Sequence, residues 1–160
     1  MYKNNKLLDV EKTKITENDL RDIEETYNII FPDSFRKHYL MYNGGRPEKN
    51  IFIDKDGEKQ ECGYFHAIKY DNGDEWGLKR KLKIDFDEES IFPKWLVSFA
   101  DNFIGMEFCW SLRKEEYGAI YYWDCDANYG DDPSKSDDYA VFLANSLEEF
   151  MNMLIEDDEE

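Results

Sequence analysis

The sequence predicts an α+β fold with two N-terminal helices, a mostly antiparallel sheet of about five or six strands, and a C-terminal helix. Apolar residues recur at helical spacing near both ends of the chain. The middle of the chain instead holds short aromatic and β-branched segments, separated by turn signals such as Asp56-Gly57. Aromatic residues make up 16% of the 160 residues, which favours a folded domain over a disordered chain.

Two helices are predicted in the first third of the chain. Thr16 can cap the first helix, and Pro32 suits the start of the second. Gly44-Gly45 ends the second helix, because glycine readily adopts the left-handed conformation of a helix end. The predicted apolar faces consist of Leu20, Ile23 and Tyr27 in the first helix and of Phe35, Tyr39 and Tyr42 in the second.

Six segments are predicted to be strands because they are short, largely apolar and bounded by turn residues. They are residues 51–53, 64–68, 96–99, 106–112, 118–123 and 139–143. Segment 76–86 stays open, since its apolar residues fit a two-residue period while Leu78 and Leu82 also fit a helix.

The last helix is predicted near residues 146–156. Ser146 and Glu149 have the spacing of a capping box, in which each side chain binds a free backbone amide. Its apolar stripe, which we expect to pack on the sheet or on the first helix, consists of Leu147, Phe150, Met151 and Leu154. Residues 1–160 are expected to form one domain, with 1–15 as an N-terminal extension and 156–160 as an acidic, solvated tail.

The net charge of −17 is concentrated at one end of the chain. Residues 101–160 hold seventeen acidic and three basic residues, whereas acids and bases balance in residues 1–50. Such a field repels nucleic acid and anionic membranes, so neither is an expected partner. It would attract a basic protein and speed its docking, although solubility alone also explains an acidic surface.

The acidic loop from Asp124 to Asp138 is the candidate binding surface. Carboxylates can steer a basic partner while aromatic rings anchor it, but a solvated hairpin connection has the same composition. The candidate partner-binding residues are Asp126, Asp131, Asp132, Asp137 and Asp138, with Trp76 and Tyr129 as aromatic anchors.

The sequence offers no catalytic constellation, and no cofactor or metal is expected. Cys62 and His66 have no second ligand pair for zinc, and His38 is interpreted as a packing or cap residue. The loop beginning at Asp124 resembles an EF-hand but fails at two positions. Tyr129 stands where the loop needs glycine, and Lys135 where it needs an acid, so we interpret it as a flexible acidic loop, with weak calcium binding as the alternative.

The composition favours the cytoplasm. The three cysteines, Cys62, Cys109 and Cys125, show no disulfide framework, which is typical of reduced thiols. The N-terminus has no apolar run of a signal peptide, and no stretch reaches the length of a membrane span.

Four segments together resemble the SUKH superfamily, the Smi/Knr-type domains. Each is short, but they occur in the family's order and span about residues 16–155. The segments are Ile23-Glu24 with Phe31–Phe35, then Tyr42–Gly45, which matches "YNGG", then Phe99–Gly105 with Gly118–Tyr121, and finally Leu143–Phe150. From the residues themselves, Asn43 is expected to bind neighbouring backbone groups and Glu24 to hold the loop after the second helix.

The resemblance implies a cytoplasmic α+β binding domain with no shared catalytic motif. Bacterial members of this superfamily are mainly immunity proteins that bind toxin domains, and fungal members regulate cell-wall synthesis through protein contacts. The expected function is therefore neutralisation of a cognate, basic toxin. A regulatory or scaffolding protein is the alternative, and a hydrolase or metal-dependent enzyme is the third hypothesis.

Overall fold

The computed structural model describes residues 2–73, 77–102, 104, 106–124 and 133–157 of the chain, with only the backbone at 133–135. The helices in this part are α1 (Glu17–Tyr27), α2 (Asp33–Met41), α3 (Leu78–Asp85) and α4 (Leu147–Met153). The strands are β1 (Leu7–Leu8), β2 (Arg46–Pro47), β3 (Ile51–Ile53), β4 (Lys59–Glu61), β5 (Leu96–Asp101), β6 (Met106–Ser111), β7 (Ile120–Asp124) and β8 (Ala140–Ala144). Short 3₁₀ helices cover Lys114–Glu116 and Pro133–Tyr139. The predicted α+β class, with two helices first and one last, is confirmed.

The strands pair only in antiparallel fashion but form three separate sheets. The main sheet has four strands in the order β5-β6-β7-β8, while β1 pairs with β2 and β3 pairs with β4. The predicted number of about five or six strands in one sheet was therefore too high, since the main sheet has four. The β3–β4 hairpin packs face-on instead of extending the sheet, because the Phe52 ring lies against Phe108 and Tyr122, at centroid distances of 5.6 and 5.8 Å.

The predicted strand at 64–68 is wrong. The segment forms only an isolated bridge between Phe65 and Ala100 in the described chain. Three of its backbone amides donate to three different parts of the chain. The Phe65 amide donates to the Gly45 carbonyl, the His66 amide to the Phe99 carbonyl, and the Ile68 amide to the Asn43 side chain. A segment whose hydrogen bonds diverge in this way cannot form a ladder with one neighbouring strand.

The open segment 76–86 resolves as a helix from residue 78 onward. Leu78, Leu82 and Asp85 of α3 are buried, which is the three- and four-residue spacing of a helix face. Gly77 precedes α3 with φ 148°, and a Cβ there would lie 2.3 Å from the Ala67 carbonyl oxygen. Only glycine allows this approach, which lets the Leu78 amide donate to that same carbonyl.

The predicted cap of α1 is confirmed, and two other details differ. Thr16 and Asp19 form a reciprocal capping box, with each side chain accepting from the other residue's amide, at 3.2 and 2.8 Å. The second helix ends at Met41 with Tyr42 in an extended conformation, so the left-handed Gly44 and Gly45 lie in the turn after the helix and do not end it. Glu24 holds the loop before α2, not the one after it. Its carboxylate accepts the Phe31 amide at 2.8 Å and pairs with Arg36 of α2 at 2.6 Å, so it joins α1 to the start of α2.

The predicted stripe on α4 is buried against the main sheet. Leu147, Phe150 and Met151 are fully inaccessible and Leu154 is 4% exposed. The helix ends at Met153, earlier than predicted, because Ile155 returns to an extended conformation and exchanges two backbone hydrogen bonds with Ile51. Glu149 bonds to Asn145 instead of completing the expected box with Ser146.

Replacing Ser146 should remove the cap of α4. The Ser146 hydroxyl accepts the Glu149 amide at 3.1 Å, so we expect Ser146→Ala to lower the free energy of unfolding by about 1 kcal/mol in urea melts. Ser146→Thr keeps the hydroxyl and should stay close to the wild type. Equal stability of the alanine and threonine variants would show that this hydrogen bond does not stabilise α4.

Candidate protein-binding surface

The two faces of the main sheet differ in what covers them. Ile120 and Tyr122 of β7 point into the main core beneath the helices. Tyr121 and Trp123 point to the opposite face, which we call the outer face, because side chains alternate along a strand. A second, smaller core covers part of the outer face and consists of Phe92, Leu96, Cys109 and Trp123.

The end of the acidic loop is fixed on the outer face. The indole nitrogen of Trp123 donates to the Ser136 carbonyl at 2.8 Å, and Ser136 is 7% exposed. Tyr139 packs against the smaller core. Between these two attachments, Asp137 and Asp138 are exposed on the 3₁₀ helix. The sheet therefore presents these two carboxylates to solvent from an anchored segment.

An aromatic row lies on the same outer face. The ring centroids of Trp95 and Tyr121 are 4.9 Å apart, and those of Tyr121 and Phe142 are 5.7 Å apart, both edge to face. Phe142 on the edge strand β8 is 48% exposed, whereas Trp95 and Tyr121 are half-buried. We call these three residues the outer strip. Such partly exposed, rigid rings are typical anchors in protein interfaces.

Charged groups at one end of the outer strip are already oriented. The Arg113 guanidinium stacks on the Trp95 ring, 3.5 Å from its centroid. The Tyr121 hydroxyl donates to the Glu116 carboxylate at 2.6 Å. Burial, with help from Glu116, raises the pKa of Tyr121 to about 12, so this hydroxyl stays protonated and keeps donating.

A groove of about 660 Å³ joins the aromatic row to the acidic segment. Trp95 and Arg113 line one side of it, and Ser136 and Asp137 line the other. Aromatic, cationic and anionic groups therefore meet in one concave surface. This arrangement can hold a side chain of a partner protein and fix its orientation.

More carboxylates lie where β7 ends. Burial raises the pKa of Tyr122, and the charges of Asp54, Asp56 and Asp124 raise it further. Asp54 and Asp56 belong to the β3–β4 turn. The negative field at this end of the molecule thus combines two segments that are about seventy residues apart in the sequence.

Most of the predicted binding residues lie outside the described part of the chain. Of the seven, the structure describes Asp137 and Asp138, and both are exposed. Trp76, Asp126, Tyr129, Asp131 and Asp132 are among the residues that the structure does not describe, so their role stays a prediction. The outer strip was missed, although the alternation of Tyr121 and Trp123 with Ile120 and Tyr122 was a usable signal.

The described residues offer little for metal chemistry. No group of three histidine, cysteine or acidic side chains in this part of the chain could hold a metal ion. His66 binds the Ser98 hydroxyl at 3.2 Å, and His38 is buried against Phe65 and bonds to Tyr2. The EF-hand-like segment falls mainly on residues 125–132, outside the described chain. None of the described helices combines the length and apolarity that a membrane crossing requires.

One buried ionic cluster connects α3 to β6. The Lys81 ammonium pairs with Asp85 at 3.0 Å and with Glu107, and both carboxylates are at most 9% exposed. Burial, partly offset by Lys81, raises the pKa of Glu107 to about 7. None of the three residues lines the groove described above, and Lys81 pairs with one oxygen of each carboxylate. The cluster therefore fastens α3 to the sheet.

A comparison with protein-family models decides the classification. The model described as the SMI1 / KNR4 family (SUKH-1) matches residues 14–153. The chain belongs to the SUKH-1 family. The match begins just before α1 and ends with α4, so it includes the whole main sheet and the outer face. A comparison with curated proteins found no significant match.

The SUKH-1 segment Tyr42–Gly45 has a structural role centred on Asn43. Asn43 is 3% exposed, and its side chain binds backbone groups in two segments. Its amide nitrogen donates to the carbonyls of Thr13 and Lys69, at 2.9 and 2.7 Å. Its oxygen accepts the Ile68 amide at 2.9 Å. Asn43 therefore joins the N-terminal segment to the 66–69 segment, which is farther along the chain than the neighbouring groups we expected.

Proposed function

We propose that this SUKH-1 domain is a non-catalytic, cytoplasmic protein-binding domain, specifically an immunity protein that neutralises a basic toxin domain. The observation that carries the proposal is the exposed pair Asp137 and Asp138 beside the outer strip, held together on one sheet face. Family membership supports a binding role, and the whole chain is proposed to act as one domain.

The outer face holds two kinds of residue that we expect to affect binding differently. Exposed carboxylates attract a basic partner over several ångströms and raise the association rate. Each of them adds little to the affinity of the complex, because water still surrounds it there. Partly exposed aromatic rings lose water on docking and slow dissociation. Trp123 holds the backbone at Ser136, and Trp95 and Tyr121 pack on the smaller core, so less ordering of these parts is left to oppose binding.

Removing the loop charges should slow association. The partner is first isolated by pull-down from the native cell and identified by mass spectrometry. We then expect the variant with Asp131, Asp132, Asp137 and Asp138 all changed to Asn to associate more slowly, with a shallower dependence on salt, in surface plasmon resonance. Dissociation should change less, because exposed charges steer more than they hold.

A matched control removes four exposed charges from the N-terminal half of the chain. In it, Asp22 and Asp33 become Asn, and Glu25 and Glu48 become Gln. This control has the same net charge as the loop variant, so it should keep a faster association if the position of the charge matters. Equal association rates and equal salt slopes for the two variants would contradict the proposed binding face.

Truncating the aromatic anchor should speed dissociation. Phe142→Ala is expected to weaken binding by about 2 kcal/mol or more, mainly through the dissociation rate, if the outer strip is the centre of the interface. The control is Tyr64→Ala, which removes an exposed ring whose hydroxyl contacts Asp9, next to β1. This variant should bind the partner like the wild type. If Phe142→Ala binds like the wild type, the outer strip does not anchor the partner. A pulled-down regulator without toxin activity would favour the scaffolding alternative.

A further inference from the structure

A cavity beside α3, outside the groove of the outer face, has several basic side chains in its lining. It has a volume of about 550 Å³ and lies between α1, the 68–73 segment and α3. Its charged lining residues in the described chain are Lys69, Lys79, Arg80 and Lys83, and no acid is among them. Acids outnumber bases by 37 to 20 in the whole sequence, so four bases and no acid among the described lining residues are opposite to the average composition.

The lysines of α3 lie on two different faces of the helix. Lys81 points inward and is neutralised by Asp85 and Glu107. Lys79 and Lys83 are exposed and lie four residues apart, so they share one face of the helix. Neither of their ammonium groups has a carboxylate partner among the described residues. Two like charges at this spacing destabilise a helix, which indicates that the helix keeps them for a reason other than its stability.

The walls of the cavity are held in place before any ligand binds. Asn43 ties Thr13, Ile68 and Lys69 together through its buried side chain, and these three residues all line the cavity. The opposite wall is fixed where Gly77 lets α3 approach the Ala67 carbonyl. A preformed cavity loses less conformational freedom on binding than a mobile one.

The remaining lining residues add polar and aromatic surface. Lys69 is oriented by Asp19, whose carboxylate lies 2.9 Å from its ammonium nitrogen. The Tyr27 ring packs on Phe86, and its hydroxyl lies 3.4 Å from the Lys79 carbonyl, to which it donates. Tyr70 forms another part of the wall. The volume falls within the range of small-molecule sites, roughly 300–1,000 Å³.

We propose that this cavity binds a small molecule that carries several phosphate groups. Lysine ammonium groups are compact charges that suit phosphate oxygens, and the exposed pair Lys79 and Lys83 can contact more than one phosphate. The acidic outer face does not forbid this, because salt screens exposed charges beyond about 8 Å at physiological ionic strength. This site is separate from the proposed protein-binding surface, and neither depends on the other.

The test measures binding of sodium tripolyphosphate by isothermal titration calorimetry, with citrate as a non-phosphate anion. We expect tripolyphosphate to bind the wild type and citrate to bind at least about tenfold more weakly. In the variant Lys79→Gln/Lys83→Gln, tripolyphosphate affinity should fall about tenfold or more, because two unpaired charges are lost. Both side chains are exposed, so the variant should fold, and circular dichroism melting checks this.

A matched control and a location measurement make the result decisive. Lys55→Gln/Lys114→Gln removes two exposed lysines outside the cavity and should bind tripolyphosphate like the wild type. Amide resonances of Lys69, Tyr70 and Gly77 should shift on titration in ¹⁵N correlation spectra. The proposal is overturned if the two double variants lose affinity equally, if citrate binds as tightly as tripolyphosphate, or if the shifts fall only elsewhere.

Discussion

Phe150→Ala is expected to lower the free energy of unfolding by about 3–5 kcal/mol, the largest effect of any substitution considered. The Phe150 ring is fully buried where α4, the β3–β4 hairpin and the main sheet meet. Its centroid lies 5.6 Å from that of Phe108, 6.2 Å from Phe99 and 6.4 Å from Phe52. Truncation leaves a cavity between three elements, and rigid rings on all sides cannot collapse to fill it.

Urea melts of Phe150→Ala and Met153→Ala make this measurement. Met153 lies on the same helix and is 39% exposed, so its truncation tests the helix without emptying the core. We expect the Met153 variant to lose much less stability than the Phe150 variant. Similar small losses for both would show that α4 is not docked on the sheet as described.

Asn43→Ala is expected to cost about 2–4 kcal/mol, although it removes only one polar side chain. The substitution leaves the Ile68 amide without its partner at a buried site, and the Thr13 and Lys69 carbonyls without theirs at a partly buried one. Each unsatisfied buried group costs roughly 1–3 kcal/mol unless water reaches it. The loss should also loosen the 66–69 segment, since Asn43 is its link to the N-terminal segment.

Asn43→Asp keeps the side-chain shape but removes the two hydrogen bonds that the amide nitrogen donates. The aspartate has the same shape and can still accept the Ile68 amide, but its ionised carboxylate would face the Thr13 and Lys69 carbonyls. We expect it to be destabilised in urea melts as well, whereas Asn18→Ala, on the exposed face of α1, should stay within about 0.5 kcal/mol of the wild type. A stable Asn43→Asp variant would contradict a role for the two donated hydrogen bonds.

Helix caps and apolar helix faces could be predicted from the sequence, because they depend on residues close together in the chain. The Thr16 cap, the apolar faces of α1 and α2 and the buried stripe of α4 follow from spacing and side-chain chemistry within about ten residues. Family likeness could also be read from the sequence, because its landmarks are short runs. The strand prediction at 64–68 failed because apolar content does not reveal which distant backbone accepts each amide.

Tertiary structure alone decided which residues share a surface. Sequence charge placed the candidate site in the acidic loop, but the outer strip joins Trp95, Tyr121 and Phe142 from three separate segments. In the same way, Lys69 meets Lys79 and Lys83 across a cavity in a chain whose net charge argued against anionic ligands. Net charge sums over the whole surface, whereas binding depends on the few charges within a screening length. Pairing register and helix docking set those distances, and both depend on contacts between residues far apart in the sequence.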